Sequence, residues 1–409
     1  MMNLFVRVLL LAGALFIAGC GGGGSGGIFS SGSSASPPPD VKVTPGDSGA
    51  TVTWTMEPGV EYWVFSAATS SLTTQNWSLQ PQAKVIRNAT SPTIISSLVN
   101  GSTYSITVNG RKDGGPGGAG SPSISFVPRL AGINWTLGKP LAAAELRGLS
   151  FAALIFPGIY VTVGSSGSAF ISSDAITWTA VTTGVTSQLN ASAYGGGRHV
   201  AVGVGGVSVN SLDAVTWTTP TNPTTSDLNG IALSGNGLVA VGNGGVILRT
   251  GDGGVSWSTA TSGTTQNLYG VAALGTSYIV VGANGTILTS NDGVSWTAQV
   301  SGTTKTLRSV VQSLTLPLVV AVGDDGTILT SPDAITWTPA TSRVTVNLNS
   351  ITLGGQFTAV GDLGTILIST DGKNWNQAVS NTTARLNAVV FGLLGYGAVG
   401  VGGVNLSSY

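Results

Sequence analysis

Val281-Gly-Ala-Asn-Gly-Thr-Ile-Leu-Thr-Ser290, followed by a tryptophan at 296, is one copy of a pattern. It returns as Val322-Gly-Asp-Asp-Gly-Thr-Ile-Leu-Thr-Ser331 before Trp337 and as Val241-Gly-Asn-Gly-Gly-Val-Ile-Leu248 before Trp257. Working outward, tryptophan stands at 135, 178, 217, 257, 296, 337 and 375. A leucine keeps the same step at 146, 189, 228, 268, 307, 348 and 386, as do paired glycines at 164/167, 203/206, 242/245, 282/285, 323/326, 361/364 and 400/403. A fixed period of about forty residues marks a repeat architecture. A unit that short cannot bury a hydrophobic face alone, so the copies pack on one another, and a closed ring is the stable all-β solution. Six complete sets follow Leu146. The seventh begins at Leu386 and reaches Tyr409 just where a fourth strand and its tryptophan are due, and that strand is present upstream as Gly132-Ile-Asn-Trp135-Thr136. The expectation is a seven-unit ring over 131–409, closed by three C-terminal strands and one N-terminal strand, which removes exposed edges.

Composition narrows the function. Lys plus Arg number 16, as do Asp plus Glu, and only 8% of residues are charged. There is no basic footprint for nucleic acid. The 61 glycines suit short strands joined by tight turns. The glycine pair is expected to form the turn between the second and third strands, where glycine tolerates positive φ. His199 is the sole histidine and Cys20 the sole cysteine, so zinc ligation and Ser/His or Cys/His catalysis lack raw material, and no cofactor is expected.

At the N-terminus, Arg7 precedes an apolar run, Val8 to Ala18, too short to span a bilayer comfortably, and the segment closes in Ile17-Ala18-Gly19-Cys20. This resembles the lipobox of bacterial lipoproteins. The resemblance implies a signal peptide over 1–19, an acylated Cys20 and attachment to a membrane through that lipid. Gly21 in place of an aspartate implies the outer membrane. A single cysteine in an exported chain has no internal disulfide partner, which agrees with lipidation. The Gly/Ser/Pro-rich stretch to Pro38 reads as a linker, so 20–38 is expected to be an acylated cysteine and its tether.

Between 39 and 129 short alternating runs return at hairpin spacing, such as Glu61-Tyr-Trp-Val-Phe65 and Thr103-Tyr-Ser-Ile-Thr-Val108, and predict a β-sandwich. Trp54, Tyr62 and the stretch Leu98-Val-Asn-Gly-Ser-Thr-Tyr104 resemble a fibronectin type III domain, the last as its tyrosine corner. All three aromatics are expected in the core. No Arg-Gly-Asp is present, since the late loop reads Gly110-Arg-Lys-Asp-Gly114.

In the ring, Thr250-Gly-Asp252-Gly-Gly-Val-Ser-Trp257 matches the Asp box of bacterial neuraminidase repeats. Shorter versions surround Asp174, Asp213, Asp292, Asp333 and Asp371. A carboxylate there can accept turn amides, and the indole can pack on the next unit. The resemblance makes these six aspartates structural and remote from any active site. The segment 131–409 is also similar to the photosystem II stability and assembly factor family. That similarity implies a seven-bladed β-propeller and a role in membrane-protein assembly through a basic face, which this chain lacks as a dense patch.

The loops entering the first strands and the turns after the second strands should emerge on one face around the channel. They gather Glu145, Arg147, Asp227, Lys305, Arg308, Asp324, Asp325, Asp362 and Arg385, a candidate binding face in a charge-poor ring. The plain alternative is that charges occupy solvated loops. Asp324 with Asp325 or Asp362 is the one local acidic grouping that would suit glycoside hydrolysis, which needs carboxyls about 5 to 9.5 Å apart. A sialidase's arginine motif is missing. The same three aspartates are a weak calcium candidate, without ligand periodicity. The expected protein is thus a non-catalytic, lipid-anchored envelope protein whose ring binds a protein or a glycan. The alternatives are a glycoside hydrolase or lyase on extracellular polysaccharide, and an envelope assembly factor.

Overall fold

The computed structural model describes residues 32–142, 145–153, 158–235, 237–313, 316–393 and 395–409. The expected signal peptide, Cys20 and the start of the linker lie outside the described residues. Among those described, no helix is long and apolar enough to cross a membrane.

The chain is all-β. From Leu146 onward each repeat becomes a four-stranded antiparallel sheet; the fifth, for example, is Leu307–Gln312, Val319–Gly323, Ile328–Ser331 and Thr338–Ala340. Six such sheets are continuous in sequence. The seventh takes Leu386–Phe391, Tyr396–Gly400 and Asn405–Ser408 and is completed by Thr136–Leu137, with Leu406 opposite Leu137 and Ser407 opposite Thr136. The closing strand lies slightly later than 132–136, because Trp135 is turned into the core (4% exposed) and its indole donates to Gly132 O at 2.8 Å. First strands pack side by side around the molecule, and the first strand of the seventh sheet packs on that of the first, so the sheets form a ring. Tyr409 spans the same seam, its phenol donating to the Asp174 carbonyl and its own carbonyl accepting from Arg129 Nε at 2.8 Å.

Each repeat leucine is fully buried, a contribution of about 2 kcal/mol per copy. The paired glycines have two different causes. The second (167, 206, 245, 285, 326, 364, 403) has φ between +65° and +76°, as expected. The first is extended, and here the expectation of positive φ fails: its reason is space. A Cβ on it would sit 2.0–2.3 Å from the carbonyl oxygen of the residue before the repeat leucine. The residue between the turn's αR position and the second glycine is also left-handed, and Ser166, Asn284, Asp325 and Leu363 adopt it at φ 52–55°.

Upstream, two sheets face each other. One has Lys42–Gly46, Gly49–Thr53 and Thr93–Ser96; the other has Lys84–Ala89, Glu61–Ala67, Tyr104–Lys112 and, on one edge of the last, Ile124–Phe126. Trp54, Tyr62 and Tyr104 are buried in the core between them. The linker expected over 20–38 requires correction: Ser33–Ala35 is a strand paired with Gly110–Lys112. Ile124–Phe126 covers only Tyr104–Ile106, so the far end of the long strand retains unpaired backbone groups that Ser33–Ala35 satisfies.

Candidate functional site at the channel mouth

Every first strand carries a register shift just after its leucine, between Leu146 and Gly148 and at the equivalent place in the other six sheets. A bulge leaves one residue unpaired and re-aims its side chain. The seven bulged residues are Arg147, Asn190, Asn229, Tyr269, Arg308, Asn349 and Asn387, and all line one pocket of about 360 Å³ where the first strands converge. The residue after each is small, because the strands approach closely: a Cβ on Gly148 would meet Ala191 Cα at 2.8 Å, and one on Gly230 would meet Tyr269 O at 2.5 Å.

Four of the bulged residues act as clasps. Asn190, Asn229 and Asn349 each donate their amide to the repeat-leucine carbonyl of the next sheet at 2.9 Å, and Asn387 does so to Leu146 at 2.7 Å, across the closure. The residue before the leucine reaches back in a similar way. Asp227 accepts from Gly205 N–H at 2.8 Å and Asn347 from Asp325 N–H at 3.1 Å, both in the preceding sheet's turn.

Of the nine charged residues expected on this face, Arg147, Arg308, Asp362 and Arg385 line the pocket. The others act mainly as their partners. Glu145 forms an ion pair with Arg147 at 3.0 Å and accepts from Arg385; Asp324 pairs with Arg308; Lys305 pairs with Asp325 further out. Asp362 accepts the amides of Asn347 at 2.9 Å and Asn349 at 3.0 Å, and Asp227 also accepts from Asn243 at 3.2 Å. The three aspartates considered for hydrolysis or calcium are therefore each occupied by a separate partner. Among the described residues no group of three His, Cys, Asp or Glu side chains is placed to hold a metal. Sequence reasoning missed the asparagine ring and Tyr269. The signal was the position after the repeat leucine, which is polar in all seven copies although it lies in a buried strand.

The Asp-box residues stand at the turns between third and fourth strands, and all six carboxylates are backbone clamps. Asp333 Oδ1 accepts from Ser331 Oγ (3.0 Å) and the amides of Ile335 (2.9 Å) and Thr336 (2.7 Å). Asp174, Asp213, Asp292 and Asp371 repeat this pattern. The longer box of Asp252 shifts the contacts to Val255 and Ser256. The indoles pack on the preceding sheet, not the next: Trp375 lies among Val320 and Val322, and Trp337 among Ile279 and Val281.

The amides of Thr216 and Val215 hold Asp213 down to about 2, and those of Thr336 and Ile335 do the same for Asp333. For Asp252 partial burial opposes the shift, and the Ser256 and Thr250 hydroxyls outweigh it, again to about 2. An unfolded aspartate titrates near ~3.9, so this contribution is complete above about pH 4 and lost as pH falls through about 2. Asp333→Ala should lower the melting temperature at pH 7, and the gap to wild type should close towards pH 2. A gap unchanged by pH in thermal scans would show that the carboxylate's charge contributes nothing.

His199 works in a higher window. It is 1% exposed, neither ring nitrogen has a partner among the described residues, and its ring lies edge-on to Tyr194 at 4.8 Å. Burial lowers it to about 4, with Asp213 opposing. Between pH ~6.5 and ~4 the unfolded chain takes up a proton that the folded chain refuses, so stability falls with pH by up to about 3 kcal/mol. His199→Leu should flatten denaturation midpoints across that window, and a retained slope would assign it to another group.

No family model and no curated protein matches the chain. Solved structures do. YCF48 from Cyanidioschyzon merolae superposes with a TM-score of 0.55 at 19% identity, covering 67% of this chain and 98% of that one. A YCF48 bound to a D1 peptide gives 0.56 at 19%, covering 68% and 94%. A catalytically inactive virginiamycin B lyase from Staphylococcus aureus with quinupristin gives 0.59 at 10%, covering 67% and 99%. The ring is a β-propeller. At these identities the likeness establishes the propeller architecture, and the channel mouth of the propeller is where the bulged side chains meet.

Proposed function

We propose that this chain is a non-catalytic, lipid-anchored envelope protein. In this reading a fibronectin type III module carries a seven-bladed propeller with 3+1 closure, and the channel mouth binds a protein or glycan ligand. The lipobox-like Ile17-Ala18-Gly19-Cys20 supports the anchor and an outer-membrane location. The three-against-five strand division supports the fibronectin module, as does Tyr104, whose hydroxyl accepts from Val99 N–H at 3.1 Å as in a tyrosine corner. The observation that carries the binding reading is the polar pocket at the channel mouth, whose lining carboxylate Asp362 is taken up by asparagine amides and whose lining arginines take up Glu145 and Asp324 beside it. A general acid needs an uncommitted carboxyl near the reacting bond.

The test is cross-linking of the full chain in its own envelope together with a glycan array. Saturable capture lost in Arg308→Gln and Tyr269→Ala is the expected result. Turnover of a polysaccharide by the purified chain would overturn the non-catalytic reading. A second reading, assembly of a membrane protein, draws on the peptide-bound YCF48 neighbour; it predicts capture of one membrane protein and no glycan signal.

A further inference from the structure

The three positions that break the asparagine ring define what the channel mouth can hold. Asn190, Asn229, Asn349 and Asn387 spend their amide donors on neighbouring strands, whereas Arg147, Tyr269 and Arg308 are released into the pocket. Arg308 commits Nε to Asp324, and its terminal nitrogens make no hydrogen bond among the described residues. Arg147 and Arg385 each commit Nη2 to the same oxygen of Glu145, so the trio carries a net positive charge, and Arg147 Nε is buried without a partner among the described residues. The Tyr269 hydroxyl makes no hydrogen bond among the described residues. The one lining carboxylate, Asp362, is occupied by two amides.

The Arg308–Asp324 pair is neutral and Asp362 keeps its charge, so the positive excess and the unspent donors gather on the side of Arg147 and Arg385, where a ligand would supply acceptors and negative charge. Guanidinium groups fork a carboxylate bidentately, and a tyrosine ring offers a flat face to a sugar's apolar side. At about 360 Å³ the space suits one or two sugar rings, not a folded partner. Resting on the reading of the channel mouth as a ligand site, the geometry points to an acidic sugar, a hexuronate unit of an anionic polysaccharide. Its carboxylate lies against Arg147 and Arg385 and its ring beside Tyr269 and Arg308.

The experiment titrates the full-length chain in detergent with trigalacturonate and trimannuronate by calorimetry. The methyl-esterified trigalacturonate serves as the uncharged probe, and Arg147→Gln, Arg308→Gln and Tyr269→Phe as variants. Expected are saturable binding of at least one uronate, a loss of tenfold or more on esterification and in the two arginine variants, and weakening with added salt. Should a variant melt early, the ester and salt comparisons on the wild-type chain still decide. Absence of uronate binding, equal binding of the ester, or indifference to salt overturns the assignment. A cross-linked envelope partner lost in Arg308→Gln, with no uronate binding, overturns the sugar assignment alone; loss of both signals removes the channel-mouth reading as well.

Discussion

Gly403→Ala should destabilise the protein by about 4 kcal/mol or more, in the range reserved for specific structural failures. Gly403 has φ +70°, which alone costs an L-residue about 1–2 kcal/mol. A Cβ there would also sit 1.8 Å from Leu141 O, 2.7 Å from Leu141 C and 2.9 Å from Leu141 N. Those atoms are backbone and cannot rotate away. They belong to the segment that carries the closing strand into the first sheet, and Leu141 N–H bonds to Gly403 O at 2.8 Å. The neighbouring Gly402→Ala is the control. Its φ is +72°, yet nothing lies within 4 Å of the added carbon, and equivalent turns hold serine, asparagine, aspartate and leucine in that conformation. It should cost only about 1–2 kcal/mol. Denaturant midpoints measure both, and equal losses would mean that contact with Leu141 is not what demands glycine.

A chain beginning at Leu130 should melt cooperatively, whereas one beginning at Lys139 should not. The nine residues between them supply Thr136 and Leu137, which pair with Ser407 and Leu406, and the Gly132 amide, which donates to Ser408 Oγ at 2.8 Å. They also supply Trp135, packed with Tyr396, Leu386 and Ile366 between the sixth and seventh sheets. Losing that indole alone costs about 3–5 kcal/mol, so Trp135→Ala tests the packing separately. Without the strand, Asn405–Ser408 becomes an exposed edge inviting intermolecular pairing. The longer fragment should be monomeric with one sharp transition, and the shorter should aggregate or melt broadly. Indistinguishable melting would mean that the ring is held by its first strands and that the closing strand is dispensable.

The period of the tryptophans, leucines and glycines was enough to place seven sheets and to find the completing strand upstream, because each position answers to a local demand: a buried side chain, a tight turn, an amide-accepting carboxylate. Asp213 and Asp333 behave as their spacing to Trp217 and Trp337 suggested, since the bonds they accept lie within three residues. The short strand Ser33–Ala35 escaped detection because its sequence is linker-like and its pairing partner is about 75 residues away in sequence.

Charge positions on the channel face were also readable, but not what the charges do. Asp324, Asp325 and Asp362 looked like one acidic group and are three separately satisfied residues. The sequence alone determined the all-β repeat, its period and the residues that the turns require, since those constraints act over a few residues and recur in each copy. Only the tertiary structure decided that a bulge turns Arg147, Tyr269 and Arg308 into the channel while four asparagines clasp their neighbours. The direction of a bulged side chain and the partner it meets depend on the adjoining strand of another repeat, and no periodicity within one repeat encodes that neighbour.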